Sequence, residues 1–119
     1  MQSFTRLNVN GLALVAALAS FNDRAFLKQS FESNRESRRI LFKHLNRLGI
    51  EYLDSQTNFV MHRIRGSLQT YIERMRSKGI FVGRKFPPMT NYCRISLGLP
   101  DETAFYCRKL ESCREKGWI

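Results

Sequence analysis

Between Asn91 and Glu102 the sequence reads as a strand running into a helix, and the strand carries one arginine among apolar neighbours. Alternation puts Ile95 and Leu97 on one side of that strand and Arg94 and Ser96 on the other. Pro100 suits the first turn of a helix, where a missing amide hydrogen costs nothing. Asp101 and Glu102 complement the positive end of the same helix. The stretch requires a sheet that is covered on the side of Ile95 and Leu97. It also requires an anion for Arg94, because an unpaired buried charge is too costly.

The rest of the chain limits how such a sheet can be covered. With 119 residues there is material for one domain and one modest core. A hydrophobic fraction of 43% argues against disorder. No apolar run is long enough to span a bilayer, and Met1 to Arg6 lack the pattern of a secretory signal. Cys93, Cys107 and Cys113 are odd in number and show no CxxC spacing. Neither a disulfide framework nor a zinc site follows, and reduced thiols fit a cytoplasmic protein. The formal charge of +10 permits association with nucleic acid or an anionic membrane without establishing either.

Residues 1–10 read as irregular, with Asn10 as a helix N-cap. Gly11 to Ala19 is apolar all round, and a helix of that kind is buried on every side. A chain this small cannot easily surround one, so cover from elsewhere is expected. Asn22-Asp23 starts a second helix that runs to Leu48, roughly seven turns at 3.6 residues each. Leu27, Phe31, Leu41, Leu45 and Leu48 form its stripe, with Asn34 and Arg38 filling the middle. That polar middle suggests a helix bridging two bodies. Gly49 ends it.

Asn58 to His62 reads as a strand, with Phe59 and Met61 on one side and Val60 and His62 on the other. A helix with Leu68, Tyr71, Ile72 and Met75 on one face follows and stops at Gly79. Ile80-Phe81-Val82 reads as a short strand, and Pro87-Pro88 keep the next segment a loop. The order is αα-β-α-β-β-α. The fold class expected is α+β, a small mostly antiparallel sheet with helices packed on one face, preceded by a long amphipathic helix.

Several segments in this order resemble a known family. They are Asn8-Val9-Asn10 before the Ala/Leu-rich helix, Asn34 and Arg38, and Ser55-Gln56-Thr57-Asn58-Phe59-Val60. Gly79-Ile80-Phe81-Val82-Gly83-Arg84 and Arg94-Ile95-Ser96-Leu97-Gly98-Leu99-Pro100-Asp101-Glu102 complete the set. Together they are similar to the C-terminal part of class I/II, fold type I aminotransferases, in the histidinol-phosphate aminotransferase-like branch. Leu99 departs from the pattern, since the family usually has Thr or Ser there as a helix cap.

The resemblance implies roles. Arg94 would bind the substrate α-carboxylate, which a guanidinium can grip through two parallel hydrogen bonds. Arg84 would lie near the substrate's other end, and Asn10 at the edge of the site. Residues 22–119 would be the small domain, and 1–21 a remnant of the large-domain or interdomain segment. The parent family uses pyridoxal 5'-phosphate, held as a Schiff base by a lysine in a Ser/Thr-x-x-Lys segment. None of Lys28, Lys43, Lys78, Lys85, Lys109 and Lys116 stands in that context. No covalent cofactor is therefore expected on this chain, nor transamination by it alone. Its expected partners are an amino-acid substrate and a missing large domain or a homodimer partner.

Two other readings carry less support. A basic nucleic-acid-binding module would use Phe81, Phe86 and Tyr92 among Arg84, Lys85 and Arg94, yet no RNP-like signature, Gly-x-x-Gly clamp or zinc spacing accompanies them. A non-catalytic docking partner would use the apolar first helix to bind a complete aminotransferase. His44 and His62 read as surface or core-edge polar groups, with no second ligand spaced for a metal.

Overall fold

The computed structural model describes residues 10–119. The irregular start, with Asn8 and Val9, lies outside the described residues. Two compact units are present, divided between Glu32 and Ser33.

The first unit holds helix α1 (Gly11–Asn22) and the opening turns of α2 (Arg24–Arg47). Asn10 caps α1 as its sequence position predicts, its side-chain oxygen accepting from the amides of Leu12 and Ala13 at 2.9 and 3.4 Å. The Asp23 carboxylate accepts from the Phe26 amide at 2.9 Å and so starts α2. No residue of α1 is buried; Leu12 is 83% and Phe21 72% exposed.

The second unit holds the rest of α2, then β1 (Phe59–Arg63), α3 (Leu68–Arg76), β2 (Tyr92–Ser96) and α4 (Pro100–Glu115). β1 and β2 pair antiparallel, with Val60 opposite Ile95, His62 opposite Cys93 and Met61 opposite Arg94. All four inner residues, Val60, His62, Cys93 and Ile95, are buried, while Arg94 and Ser96 face the other way. The faces are those the alternation predicts. Leu41 and Leu45 of α2, Tyr71 and Met75 of α3, and Tyr106 and Leu110 of α4 close the core over that inner face. Positive φ at Gly49 and Gly79 marks where α2 and α3 stop, a conformation glycine adopts without a side-chain clash.

One expected element is absent. Ile80-Phe81-Val82 forms no strand, and the segment meets β2 through one bond, the Gly83 amide donating to the Arg94 carbonyl at 2.9 Å. A Cβ at Gly83 would collide with that same carbonyl, so only glycine lets the loop approach. The observed order is therefore αα-β-α-β-α. The class remains α+β with an antiparallel sheet.

The β2–α4 junction is held from two sides. Ser37 of α2, fully buried, donates its hydroxyl to the Gly98 carbonyl at 2.8 Å. The Glu102 carboxylate accepts from the Leu99 amide at 2.8 Å, which satisfies one free amide of α4 although Leu99 has no capping group of its own. Ser37→Ala leaves the Gly98 carbonyl without its partner. A loss of about 1–2 kcal/mol in urea unfolding is expected, and an unchanged midpoint would contradict the tether.

Candidate functional site

Arg94 projects from the outer face of β2, opposite Met61. Its guanidinium carbon lies 4.3 Å from the centre of the Phe59 ring and 5.0 Å from that of Phe86. Arg84 lies over the same Phe86 ring at 4.7 Å. Two guanidinium groups thus share one aromatic ring, with Phe59 contributed by the neighbouring strand. Cation–π contact of this kind is worth about 0.5–2 kcal/mol and leaves the N–H edges free to donate.

Beside them is a pocket of about 210 Å³ lined by Gly83, Arg84, Phe86, Arg94 and Ser96. Among the described residues, neither arginine pairs with a carboxylate; the ion pairs use Arg39, Arg47 and Arg63 instead. The anion that the sequence requires for Arg94 is not supplied by these residues. What the fold supplies is aromatic support, which orients the two forks without neutralising them. Sequence reasoning missed that support, because only the strand register brings Phe59 to Arg94.

A larger cavity of about 570 Å³ lies near the start of α4, lined by Leu41, Phe81, Ile95, Leu97, Phe105 and others. Its lining contains no basic residue.

The aromatics proposed for a nucleic-acid platform do not gather. Phe86 joins Arg84 and Arg94, but Phe81 lies near Arg76 and the Tyr92 hydroxyl donates to Glu51. Asn34 and Arg38 both donate to the Thr57 carbonyl, at 3.4 and 3.2 Å, and so fix the loop before β1. Asn10 serves as a helix cap in the other unit.

His62 departs from the core-edge reading. It is fully buried, its Nε2 2.6 Å from the Tyr106 hydroxyl, which is 3.1 Å from the Tyr71 hydroxyl. Nδ1 lies 3.0 Å from the Arg63 carbonyl, which can only accept, so the proton sits on Nδ1. Nε2 then accepts from Tyr106, and Tyr106 accepts from Tyr71. Burial pushes the His62 pKa down to about 4, and it lifts both tyrosines well above their ordinary value. The chain of bonds is directed and neutral, and it ties β1 to α3 and α4 beneath Arg94's strand.

All three thiols are buried and free. Burial lifts Cys93 to about 12 and Cys107 to about 11, and it raises Cys113 as well. Thiolate is the reactive form, so the native chain is expected to react negligibly with Ellman's reagent at neutral pH and to show three thiols in denaturant. Rapid native labelling of any of them would contradict the packing.

No group of three or more His, Cys, Asp or Glu that could hold a metal occurs among the described residues. Pyridoxal phosphate chemistry needs a lysine for the Schiff base, and no lysine lines either the arginine pocket or the larger cavity.

A family model described as aminotransferase class I and II matches residues 3–108. The chain is 37% identical over 109 residues to histidinol-phosphate aminotransferase 1 of Cupriavidus pinatubonensis, covering 87% of this chain and 29% of that protein. It is 38% identical over 110 residues to histidinol-phosphate aminotransferase 2 of Ralstonia nicotianae, covering 88% and 29%. A crystal structure from Erwinia carotovora atroseptica, provisionally named a histidinol-phosphate aminotransferase, superposes with a TM-score of 0.87. It is 44% identical, and the match covers 94% of this chain and 32% of that one. The Clostridium acetobutylicum histidinol-phosphate aminotransferase shares the fold, with a TM-score of 0.80 at 19% identity, over 93% and 36% of the two chains. The chain spans less than a third of the length of these curated relatives.

Proposed function

This chain belongs to the class I and II aminotransferase family, and from that premise we propose that it acts as the C-terminal part of a pyridoxal-phosphate-dependent aminotransferase. Arg94 binds the α-carboxylate of the amino acid or 2-oxo acid, and Arg84 lies toward the substrate's other end. The observation that carries this reading is the pair of guanidinium groups on Phe86, beside a pocket, without a carboxylate partner among the described residues. A carboxylate entering there meets a fork aimed by Phe59 and Phe86, so little rotational freedom is lost on binding.

In this reading the cofactor and its lysine belong to the larger part of the relatives' length that this chain does not span. Residues 22–119 act as the small domain, and 1–21 belong to the large-domain or interdomain segment. These residues alone do not transaminate. The partner is that remaining part, or a second protomer containing it. Support comes from α1, whose apolar side chains are all exposed, and from Phe31, 63% exposed in α2. Large apolar side chains left in water gain roughly 1.5–3 kcal/mol each when covered. The compartment assigned is the cytoplasm; among the described residues no helix is long and apolar enough to cross a membrane.

The test is a fusion in which the residues preceding the matched region of the Erwinia carotovora protein are joined to this chain. Amino transfer from an amino acid to a 2-oxo acid is expected from the fusion and not from either part alone. A folded, cofactor-loaded fusion without that activity would overturn the reading.

A further inference from the structure

We propose that Trp118 and three cations gathered over it form a binding site for a multiply charged oxyanion of the phosphate class. This site is separate from Arg94 and does not rest on the aminotransferase reading. After α4 the chain turns back on itself at Gly117, whose φ is +67°. The Gly117 amide donates to the Arg114 carbonyl and the Trp118 amide to the Cys113 carbonyl, both at 2.9 Å. Ile119 then enters the core, 3% exposed. Trp118 is thereby fixed, half-buried against the core.

Arg74 lies 4.7 Å from the centre of the indole, Lys116 5.1 Å and Lys78 5.4 Å. No two of these charges can be further apart than about twice the largest of those distances. None of them forms an ion pair among the described residues. Two come from the end of α3 and one from the end of α4. Cations at helix C-termini usually compensate the carbonyls there, each end carrying roughly half a negative charge. Here those carbonyls already have partners. The Ser77, Lys78 and Gly79 amides donate to Glu73, Met75 and Arg76 at the end of α3, and the Lys116, Gly117 and Trp118 amides close α4. Three full positive charges exceed what two capped helix ends offset. An anion with two charges and several acceptor oxygens would take the guanidinium fork of Arg74 and the two ammonium groups together. Both ends of the site are held by backbone bonds, so the indole stays in place while the anion binds.

Trp118 is the only tryptophan in the chain, so its fluorescence reports the site directly. Inorganic phosphate and pyrophosphate are titrated at ionic strength held constant with chloride. A saturable change is expected for both, with pyrophosphate binding more tightly. The double variant Lys78→Gln, Lys116→Gln should move the midpoint about tenfold weaker, as expected when two exposed charge contacts are lost. Its thermal midpoint shows that it is folded. Arg94→Gln should leave the midpoint where it is. No saturable change, or an unchanged midpoint in the folded double variant, would overturn the proposal. A response to a single-stranded oligonucleotide but to neither phosphate nor pyrophosphate would overturn it too, in favour of a nucleic-acid surface.

Discussion

Arg94→Gln in the completed enzyme should lower kcat/KM by about a hundredfold or more. Two charge-assisted hydrogen bonds to the substrate carboxylate are lost, each worth about 1.5–3 kcal/mol. The loss should remain for Arg94→Lys, at about tenfold or more, because an ammonium keeps the charge but not the planar fork. Arg84→Gln should cost less and should change with the nature of the substrate's far end. The distinguishing measurement is the substrate series. An amine of the same shape that lacks the α-carboxylate should be used equally poorly by the native and Arg94→Gln fusions. If Arg94→Gln hurts both substrates alike, Arg94 supports the fold and does not bind the carboxylate. The folding cost should be that of its contacts with the Phe59 and Phe86 rings, about 0.5–2 kcal/mol each, since Arg94 makes no ion pair among the described residues.

The second large effect concerns acid. His62 is fully buried with its pKa pushed down to about 4 from an ordinary 6.5, chiefly by loss of hydration, with its bond to the Arg63 carbonyl acting in the opposite direction. In the unfolded chain this imidazole takes up its proton as pH falls through about 6.5. In the folded chain it does not do so until about pH 4. Between those values the unfolded state holds more protons, so stability falls as pH falls. The shift corresponds to about 3 kcal/mol lost across that window, with no further loss from this group below it. Above pH 6.5 the group contributes no pH dependence. His62→Gln keeps a neutral acceptor for Tyr106 at every pH. It should be less stable at pH 7 but should lack this part of the acid sensitivity. Glu51, held low first by the Tyr92 hydroxyl and then by Arg63, adds its own acid response at lower pH in both proteins. Urea midpoints from pH 7 to pH 4 give the comparison, and parallel curves would contradict a neutral buried His62.

The elements that could be read from the sequence were those set by local rules. Glycine at 49 and 79, proline at 100 and two-residue alternation around Val60 and Ile95 placed most boundaries and both strand faces. Ile80-Phe81-Val82 misled because apolar β-branched and aromatic residues suit a strand, yet the only backbone bond from this stretch to β2 comes from the following residue, Gly83. Ser37 was invisible because a serine within a polar stretch of helix gives no sign of the distant carbonyl it reaches. The same holds for His62, whose partner Tyr106 is 44 residues away and in turn meets Tyr71. At the site, Arg94 was picked out as a charge in need of an anion, and Arg84 followed from the family pattern. Their meeting on Phe86 and the support from Phe59 depend on the register Phe59–Ser96 and Met61–Arg94, which no local rule states.

In the proposed assembly these residues supply the carboxylate grip and the preceding part supplies the cofactor lysine. Borohydride reduction in the presence of pyridoxal phosphate, followed by peptide mapping, separates the two contributions. The purified chain should show no uniquely labelled lysine among positions 28, 43, 78, 85, 109 and 116, whereas the fusion should be labelled once, in its preceding part. A single labelled lysine in the chain itself, accompanied by transamination, would contradict the claim.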